Sequence, residues 1–456
     1  ILATGVTSDE NGIHDFESKR DELTAGRYWD AAYEAGSKIG LVEWHMTWPP
    51  DERPGFGIPG WLARGFETLP VEAGFLKRLE AAGKGRSGFF SLPMIRVGFN
   101  AAAISSADNL LLHLGAFAKI ALGSLRGLDG EHSYWRVKLV QARLKTDLYL
   151  ELMAREMAEC SAVIVFPVDS LGHNYWRYHD PEAFEARPEE EVAPFREVIL
   201  DAHRTADKTL GDVLARFDLD KVTVAIVSDH GMEASEEHTT SRVHGKRLVA
   251  ALGLEGTVRH AVAGRRLILS TALRPGPERT ELLRDLHQKL SEAKVKETGA
   301  NPFLLDPFDP DADTLAVEYK PGKAKEPVEV FVSGDVEIPI AELFHKEHRS
   351  GSHTVRGIGG LVGPGIAAGA RLEGADIYDF APTMLHAMGL EVPEDLPGMV
   401  LTDAWTGESL AARPVKTVAG GLPMPPPARQ IAEDRDMMED NLAELGYTEG
   451  EEEEDE

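Results

Sequence analysis

The pattern of apolar positions predicts helices in the first half of the chain. From about residue 70 to residue 158, apolar residues recur mostly at helical spacing. Since residues three and four apart lie on the same face of a helix, the clearest repeat predicts a buried stripe. The members of that repeat are Val137, Val140, Leu144, Leu148 and Leu152. Residues 195–216 have the same amphipathic pattern and predict a second helix.

Short apolar runs alternate with these helices and predict strands. The clearest runs are residues 38–46, 162–168 and 222–227. A strand–helix–strand order is typical of parallel sheets, which have right-handed connections and bind ligands at the carboxyl ends of their strands. The sequence therefore predicts an α/β fold with a mostly parallel sheet flanked by helices.

A change of pattern after about residue 250 predicts an insertion. Two strand-like runs, 266–270 and 328–332, enclose a helical stretch near 278–293 and predict a small α+β cap. The predicted segments are residues 1–48, 150–249 and 346–415 for three parts of one core, residues 49–149 for a mostly helical insertion, residues 250–345 for the cap, and residues 416–456 for a linker and a disordered acidic tail.

Composition and charge narrow the class of protein. A chain of 456 residues with 43% hydrophobic residues can bury a substantial core, and no apolar run reaches the length of a membrane span. The net charge of −28 argues against nonspecific binding to nucleic acid. Cys160 is the only cysteine, so no intrachain disulfide can form. This favours a reducing compartment and predicts a cytoplasmic location.

Three separated segments place acidic and histidine side chains after strand-like runs. Asp169 and His173 follow the second run, and Asp229 and His230 are adjacent after the third. His353 is a further candidate downstream. Carboxylates and imidazoles that meet at one sheet edge can bind a divalent cation, so the set suggests a metal-dependent hydrolase.

Plainer interpretations exist for single residues. Asp229 could cap the backbone of a strand-to-turn junction, and Asp169 could cap a turn. His345 and His348 are three apart and could form a separate metal pair on a helix, although a solvated face is the favoured interpretation. His386 lies in an apolar helical pattern, which predicts a packing role.

The order of the motifs resembles the alkaline phosphatase superfamily, in its type I phosphodiesterase/nucleotide pyrophosphatase-like branch of phosphohydrolases and phosphomutases. The matching motifs are Asp169-x-x-x-His173, the aromatic segment 173–178, Ser228-Asp229-His230-Gly231, Gly351-x-His353, the segments 363–366 and 379–390, and the opening segment 3–13.

The resemblance implies an alkaline-phosphatase-like hydrolase of small-molecule phosphate esters, with a phosphodiester or nucleotide-type substrate favoured. It implies that Asp169, His173 and His353 bind one divalent metal ion and that Asp229 and His230 bind a second. Carboxylate and imidazole ligands without thiolates suit zinc or manganese.

The resemblance also implies that the chain is N-terminally incomplete. In this family a metal-binding Asp and a Ser or Thr nucleophile precede the segment that matches residues 3–13. Both are then expected upstream of Ile1, and the chain as given is expected to be impaired. Thr4 and Thr7 fall too late in the matched segment to replace the nucleophile.

Several interpretations remain open at this point. Tyr175 and Trp176 are predicted to line the substrate pocket, with core packing as the alternative. A phosphomutase and a metal-binding protein without catalysis are the alternative functions. A sulfatase is disfavoured, because those relatives need a Cys or Ser in a distinctive modified motif and Cys160 is predicted to end the helix before residues 162–168.

Overall fold

The structure, a computed structural model, describes most of the chain outside two long segments, 75–129 and 432–456. The described residues are 1–13, 18–60, 63–74, 130–184, 186–235, 240–243, 245–254, 257–263, 266–271, 273, 276–296, 299–310, 314–319, 329–333, 336–339, 344–347 and 350–431. Most of the predicted helical insertion and the predicted acidic tail therefore lie outside them.

The described residues form helices, strands and single 3₁₀ turns. The helices are α1 (Ser8–Asn11), α2 (Tyr28–Glu34), α3 (Gly130–Glu156), α4 (Pro167–His179), α5 (Glu189–Val192), α6 (Val198–Arg216), α7 (Gly245–Ala251), α8 (Pro277–Ser291), α9 (Phe380–Ala387) and α10 (Gly407–Ala412). The 3₁₀ turns are Arg20–Glu22, Val71–Gly74, Pro181–Ala183, Ile377–Asp379 and Thr402–Ala404.

The strands are numbered in the same way along the chain. They are β1 (Ile39–Val42), β2 (Gly55–Ile58), β3 (Cys160–Val163), β4 (Val224–Val227), β5 (Gly231–Ala234), β6 (Thr240–Val243), β7 (Val258–Ala263), β8 (Arg266–Thr271), β9 (Lys294–Val295), β10 (Phe303–Leu305), β11 (Thr314–Tyr319), β12 (Glu329–Ser333), β13 (Val336–Pro339), β14 (Phe344–Glu347), β15 (Gly351–Thr354), β16 (Gly359–Val362), β17 (Val392–Pro393) and β18 (Thr417–Val418).

The chain divides into two compact units, and residues 235–350 form the main part of the second. The first unit contains a parallel three-stranded sheet in the order β2-β1-β3, in which Ile39 lies opposite both Gly55 and Cys160. The mixture of helices and strands is compatible with the predicted α/β fold.

The predicted helical stripe is confirmed in α3. Val140, Leu144, Leu148 and Leu152 are buried against Phe56 and other residues of β1 and β2, and the fifth member of the repeat is partly buried in the same cluster. The second amphipathic helix is also confirmed as α6. Local periodicity was sufficient to predict both helices, because each buries one face against the sheet or a neighbouring helix.

Two strand predictions needed correction. The strand expected at residues 38–46 ends at Val42, since Glu43 and Met46 have positive φ angles of 64° and 54°. The strand expected at 162–168 is Cys160–Val163, so Cys160 begins a strand and does not end a helix. Pro167 then starts α4, because its fixed φ and missing N–H suit the first turn of a helix.

The strands around the later motifs pair in antiparallel fashion. β4 pairs with β16, and β5 pairs with β15. Among the described strands, β1, β2 and β3 form one parallel sheet and β17 and β18 form a parallel pair, whereas β4 lies in a separate two-stranded sheet.

The second unit has its own apolar core. Its four-stranded antiparallel sheet has the order β10-β11-β8-β7, and α8 contributes Leu286 and Leu290 to the core. The predicted strands at 266–270 and 328–332 and the helix near 278–293 are confirmed as β8, β12 and α8. The domain boundaries drawn from the sequence stay a prediction. Within the described parts of the chain, no helix is long and apolar enough to cross a bilayer.

Candidate metal centre

Helix α4 places the first two candidate ligands. Asp169 lies in its first turn and His173 one turn later, so the two side chains share a face of the helix. His173 Nε2 is 3.5 Å from Asp169 Oδ1. The prediction that Asp169 ends a strand was wrong in detail, because the strand stops at Val163 and the helix delivers the carboxylate.

Strand β15 brings His353 to the same place. Its pairing with β5 sets His353 opposite Met232, and His353 Nε2 lies 2.9 Å from Asp169 Oδ1. The strand runs very close to α4, because a Cβ at Gly351 would collide with the carbonyl oxygen of Gly172. Glycine at position 351 is therefore required for His353 to reach Asp169.

The backbone of β15 also orients His173. His173 Nδ1 lies 2.9 Å from the carbonyl oxygen of Gly351, to which it donates, so that Nε2 is directed toward Asp169. Histidines that bind metals typically make such a bond with their other ring nitrogen. One ligand atom from each of Asp169, His173 and His353 lies within 4.8 Å of the others, and this donor set suits a divalent cation.

The other predicted pair adjoins this cluster. His230 Nε2 is 3.7 Å from Asp169 Oδ1 and also 3.7 Å from Asp229 Oδ1. The rings of His230 and His353 stack with centroids 3.6 Å apart. The structure thus brings all five predicted ligands together, although Asp169 and His353 are 184 positions apart in the chain. Their roles as metal ligands stay a prediction.

The cluster keeps Asp169 negatively charged. Burial would raise the pKa of this carboxyl group, but the hydrogen bonds and charges of His173 and His353 outweigh burial and hold its pKa well below the usual range. An ionised carboxylate between three imidazoles is a suitable oxygen ligand for a cation.

Sequence reasoning missed the role of Ser228. Its Oγ accepts a hydrogen bond of 2.8 Å from the Ile358 amide, and its own amide donates to the Ile358 carbonyl oxygen over 2.9 Å. These bonds tie the segment that contains Asp229 and His230 to the segment that follows His353. The sequence shows a serine next to the Asp-His pair. Local spacing does not reveal that Ile358 is the partner of this serine.

The remaining candidates pack against aromatic side chains. Tyr175 is buried among Tyr178 and Phe195, and Trp176 packs beside the same group. Their predicted contact with substrate stays a prediction. His386 packs edge-on against Trp405, as the apolar pattern predicted.

The alternative prediction, a metal-binding pair of His345 and His348 on a helix, is wrong for His345. His345 lies in β14, opposite Arg242, and not on a helix. His348 lies outside the described residues.

Comparison with known protein families identifies the middle of the chain. Residues 119–304 match the model of the type I phosphodiesterase / nucleotide pyrophosphatase family. The resemblance to that branch of the alkaline phosphatase superfamily is thereby confirmed over these residues. A search of curated proteins found no match.

The matched segment includes four of the five predicted ligands. Asp169, His173, Asp229 and His230 lie within it, whereas His353 lies beyond its end. A domain of this family suggests hydrolysis of phosphate esters, and the family is generally metal-dependent. The contact between His353 and Asp169 extends the site past the matched segment.

Proposed function

We propose that this protein is a metal-dependent hydrolase of phosphate esters, of the phosphodiesterase or nucleotide pyrophosphatase type. The observation that supports it best is the cluster of Asp169, His173 and His353, whose ligand atoms lie within 4.8 Å of one another. The family match over residues 119–304 supports the same reaction class. In the proposed fold, the parallel strands belong to a larger, mostly parallel sheet of the alkaline phosphatase type.

The proposed site holds two divalent cations, zinc or manganese. Asp169, His173 and His353 hold one, and Asp229 and His230 contribute to the second. When bound, such cations polarise a phosphoryl oxygen and lower the pKa of a nearby hydroxyl group. The protein's own side chains would hold the cation. Asp169 would supply negative charge to it, and the Gly351 carbonyl keeps His173 in the tautomer that leaves Nε2 available.

The proposed nucleophile is a Ser or Thr in a segment upstream of Ile1, which forms a covalent phospho-enzyme that water then hydrolyses. Two observations support this placement. Burial lowers the pKa of the Ile1 amino group, while the nearby Asp229 carboxylate raises it, so Ile1 lies close to the cluster. The faces of β3 and β4 are only partly buried, although both strands lead to predicted ligands.

The chain as given is therefore proposed to bind one metal ion more tightly than the other and to hydrolyse esters slowly. A phosphomutase would use the same intermediate and return the phosphate to an acceptor hydroxyl. The cytoplasmic location and the absence of nucleic-acid binding stay predictions.

The test combines metal content with turnover of bis(4-nitrophenyl) phosphate. His173→Ala should lose the tighter metal after dialysis and lose metal-stimulated hydrolysis. His203→Ala is the matched control, since His203 lies on the exposed face of α6. Equal metal content and turnover in the two variants would contradict the proposed site. Metal retention without turnover, when the upstream segment is present, would favour a metal-binding protein without catalysis.

A further inference from the structure

Helix α4 packs very closely on the pair of strands β5 and β15. In that pair Gly351 lies opposite Ala234, and His353 lies opposite Met232. Opposed residues, and residues two apart on one strand, point to the same face of a sheet, so these four positions share one face. The helix crosses that face at Gly172, because a Cβ at Gly351 would collide with the Gly172 carbonyl oxygen. The small residues of the strand pair therefore admit the helix.

Met232 is the large apolar side chain at this crossing. A Cβ at position 172 would lie 3.1 Å from Met232 Cε, 3.2 Å from its Cγ and 3.6 Å from its Sδ, so the thioether lies along the helix at Gly172. Met232 is partly buried. Methionine suits such a gap, because its chain is unbranched and its sulfur is polarisable. The separation of α4 from β5 is therefore set by the Met232 side chain and by the absence of a side chain at position 172.

This contact joins the elements that carry the candidate ligands. Asp169 and His173 lie on α4, three residues before and one residue after Gly172. His353 is the direct partner of Met232 in the strand pair. The 2.9 Å distance between His353 Nε2 and Asp169 Oδ1 therefore depends on how closely α4 approaches β5 and β15. A shift of the helix by about 1 Å would exceed the tolerance of metal–ligand distances, which is about 0.2 Å.

We propose that Met232 is a positioning residue of the candidate metal centre. It acts through the packing of α4 and not as a ligand. Its thioether holds the helix at the separation at which Asp169, His173 and His353 can bind one cation. Gly172 belongs to the same contact, because it leaves room for the thioether. The inference rests on the proposed metal site, and it adds the residue that fixes the distance between the helix and the strand that carry the ligands.

Titration calorimetry of the full chain with zinc chloride tests this role, after a chelator and dialysis have removed bound metal. Met232→Ala should weaken the tighter zinc binding at least about tenfold, as is typical when a group that supports a metal ligand is lost. Met232→Leu keeps most of the volume and should bind within about threefold of the wild type. Met153→Ala is the matched control, since Met153 is also partly buried but packs in the apolar cluster of α3. It should lower stability and change the zinc affinity by less than about twofold.

A double-mutant cycle tests the contact itself. Gly172→Ala places a methyl group against the Met232 side chain and should also weaken zinc binding, although alanine favours a helix more than glycine does. In the Met232→Ala background the same methyl group enters vacated space, so Gly172→Ala should weaken binding less there than in the wild type. Residues in contact give such non-additive effects. Fold-changes that simply multiply would overturn the proposal.

One further variant separates this inference from the proposed function. His173→Ala removes a proposed ligand and should lose the tighter zinc binding. If His173→Ala loses zinc and Met232→Ala keeps it, the positioning role alone is overturned. If His173→Ala binds zinc like the wild type, the proposed metal site is contradicted and the positioning role falls with it. Urea denaturation shows which variants fold. Should Met232→Ala not fold, Gly172→Ala decides, and a zinc affinity like that of the wild type would then overturn the proposal.

Discussion

Strands β1 and β4 have similarly apolar sequences but very different surroundings. All four residues of β1 are buried between β2 and β3, and Ile39 is 0% exposed. β4 pairs with β16 on one edge, and its Ile226 is 37% exposed. An apolar run therefore predicts a strand, whereas the neighbours of that strand decide how much of it is buried.

The less buried strand leads into the candidate site. β4 is followed, after Ser228, by Asp229 and His230, whereas β1 is followed by the loop that contains His45 and Trp48. We therefore expect β1 to contribute mainly to stability and the residues after β4 to contribute mainly to the proposed site. The following predictions test this difference, beginning with the largest expected effect.

Asp229→Ala should separate function from folding. If Asp229 holds a metal ion as proposed, its loss should lower turnover by at least about a thousandfold, because metal stabilisation of the transition state would contribute several kcal/mol. The fold should persist, because the Asp229 side chain is 60% exposed. Steady-state kinetics and circular dichroism provide the two readouts. Turnover like that of the wild type would contradict the proposed two-metal mechanism.

The alkylation rate of Cys160 should report how well β3 is shielded from solvent. Burial raises the pKa of its thiol to about 12. At pH 8 the thiolate should then be roughly a thousandfold scarcer than for an ordinary cysteine with a pKa of about 8.5. Alkylation by iodoacetamide should therefore be slow in the native protein and fast in urea. Equal rates in the two conditions would show that β3 is open to solvent.

Matched isoleucine truncations compare the two strands directly. Ile39→Ala should lower the free energy of unfolding by about 2–5 kcal/mol, because it leaves a cavity in the core. Ile226→Ala should cost about 1 kcal/mol, since its side chain is already partly hydrated. Urea denaturation measures both.

A smaller effect concerns the pH dependence of stability at the cluster. The folded-state pKa of Asp169 is lower than its unfolded value of about 3.9, so its ionised form stabilises the fold above that pH. This contribution is lost as the pH falls through the folded pKa. In a chelator, the stability difference between the wild type and Asp169→Asn should therefore narrow below about pH 4. A difference that stays constant between pH 7 and pH 3 would show that Asp169 is not held ionised.

Local spacing along the chain predicts the helices and strands, and residue type predicts the chemistry of the candidate site. The repeat from Val137 to Leu152 predicted α3, because helical periodicity places those residues on one face. The ordered motifs predicted Asp169, His173, Asp229, His230 and His353 as ligands, since residue type alone decides which atoms can bind a cation.

The relative positions of the predicted ligands depend on the tertiary structure. The helical setting of Asp169 depends on Pro167, which ends the extended segment four residues after β3. The approach of His353 depends on the pairing of β15 with β5 and on the absence of a side chain at Gly351. Pairing between distant segments is set by long-range packing and not by local periodicity, which is why the sequence could predict β1 and β4 but not their different burial.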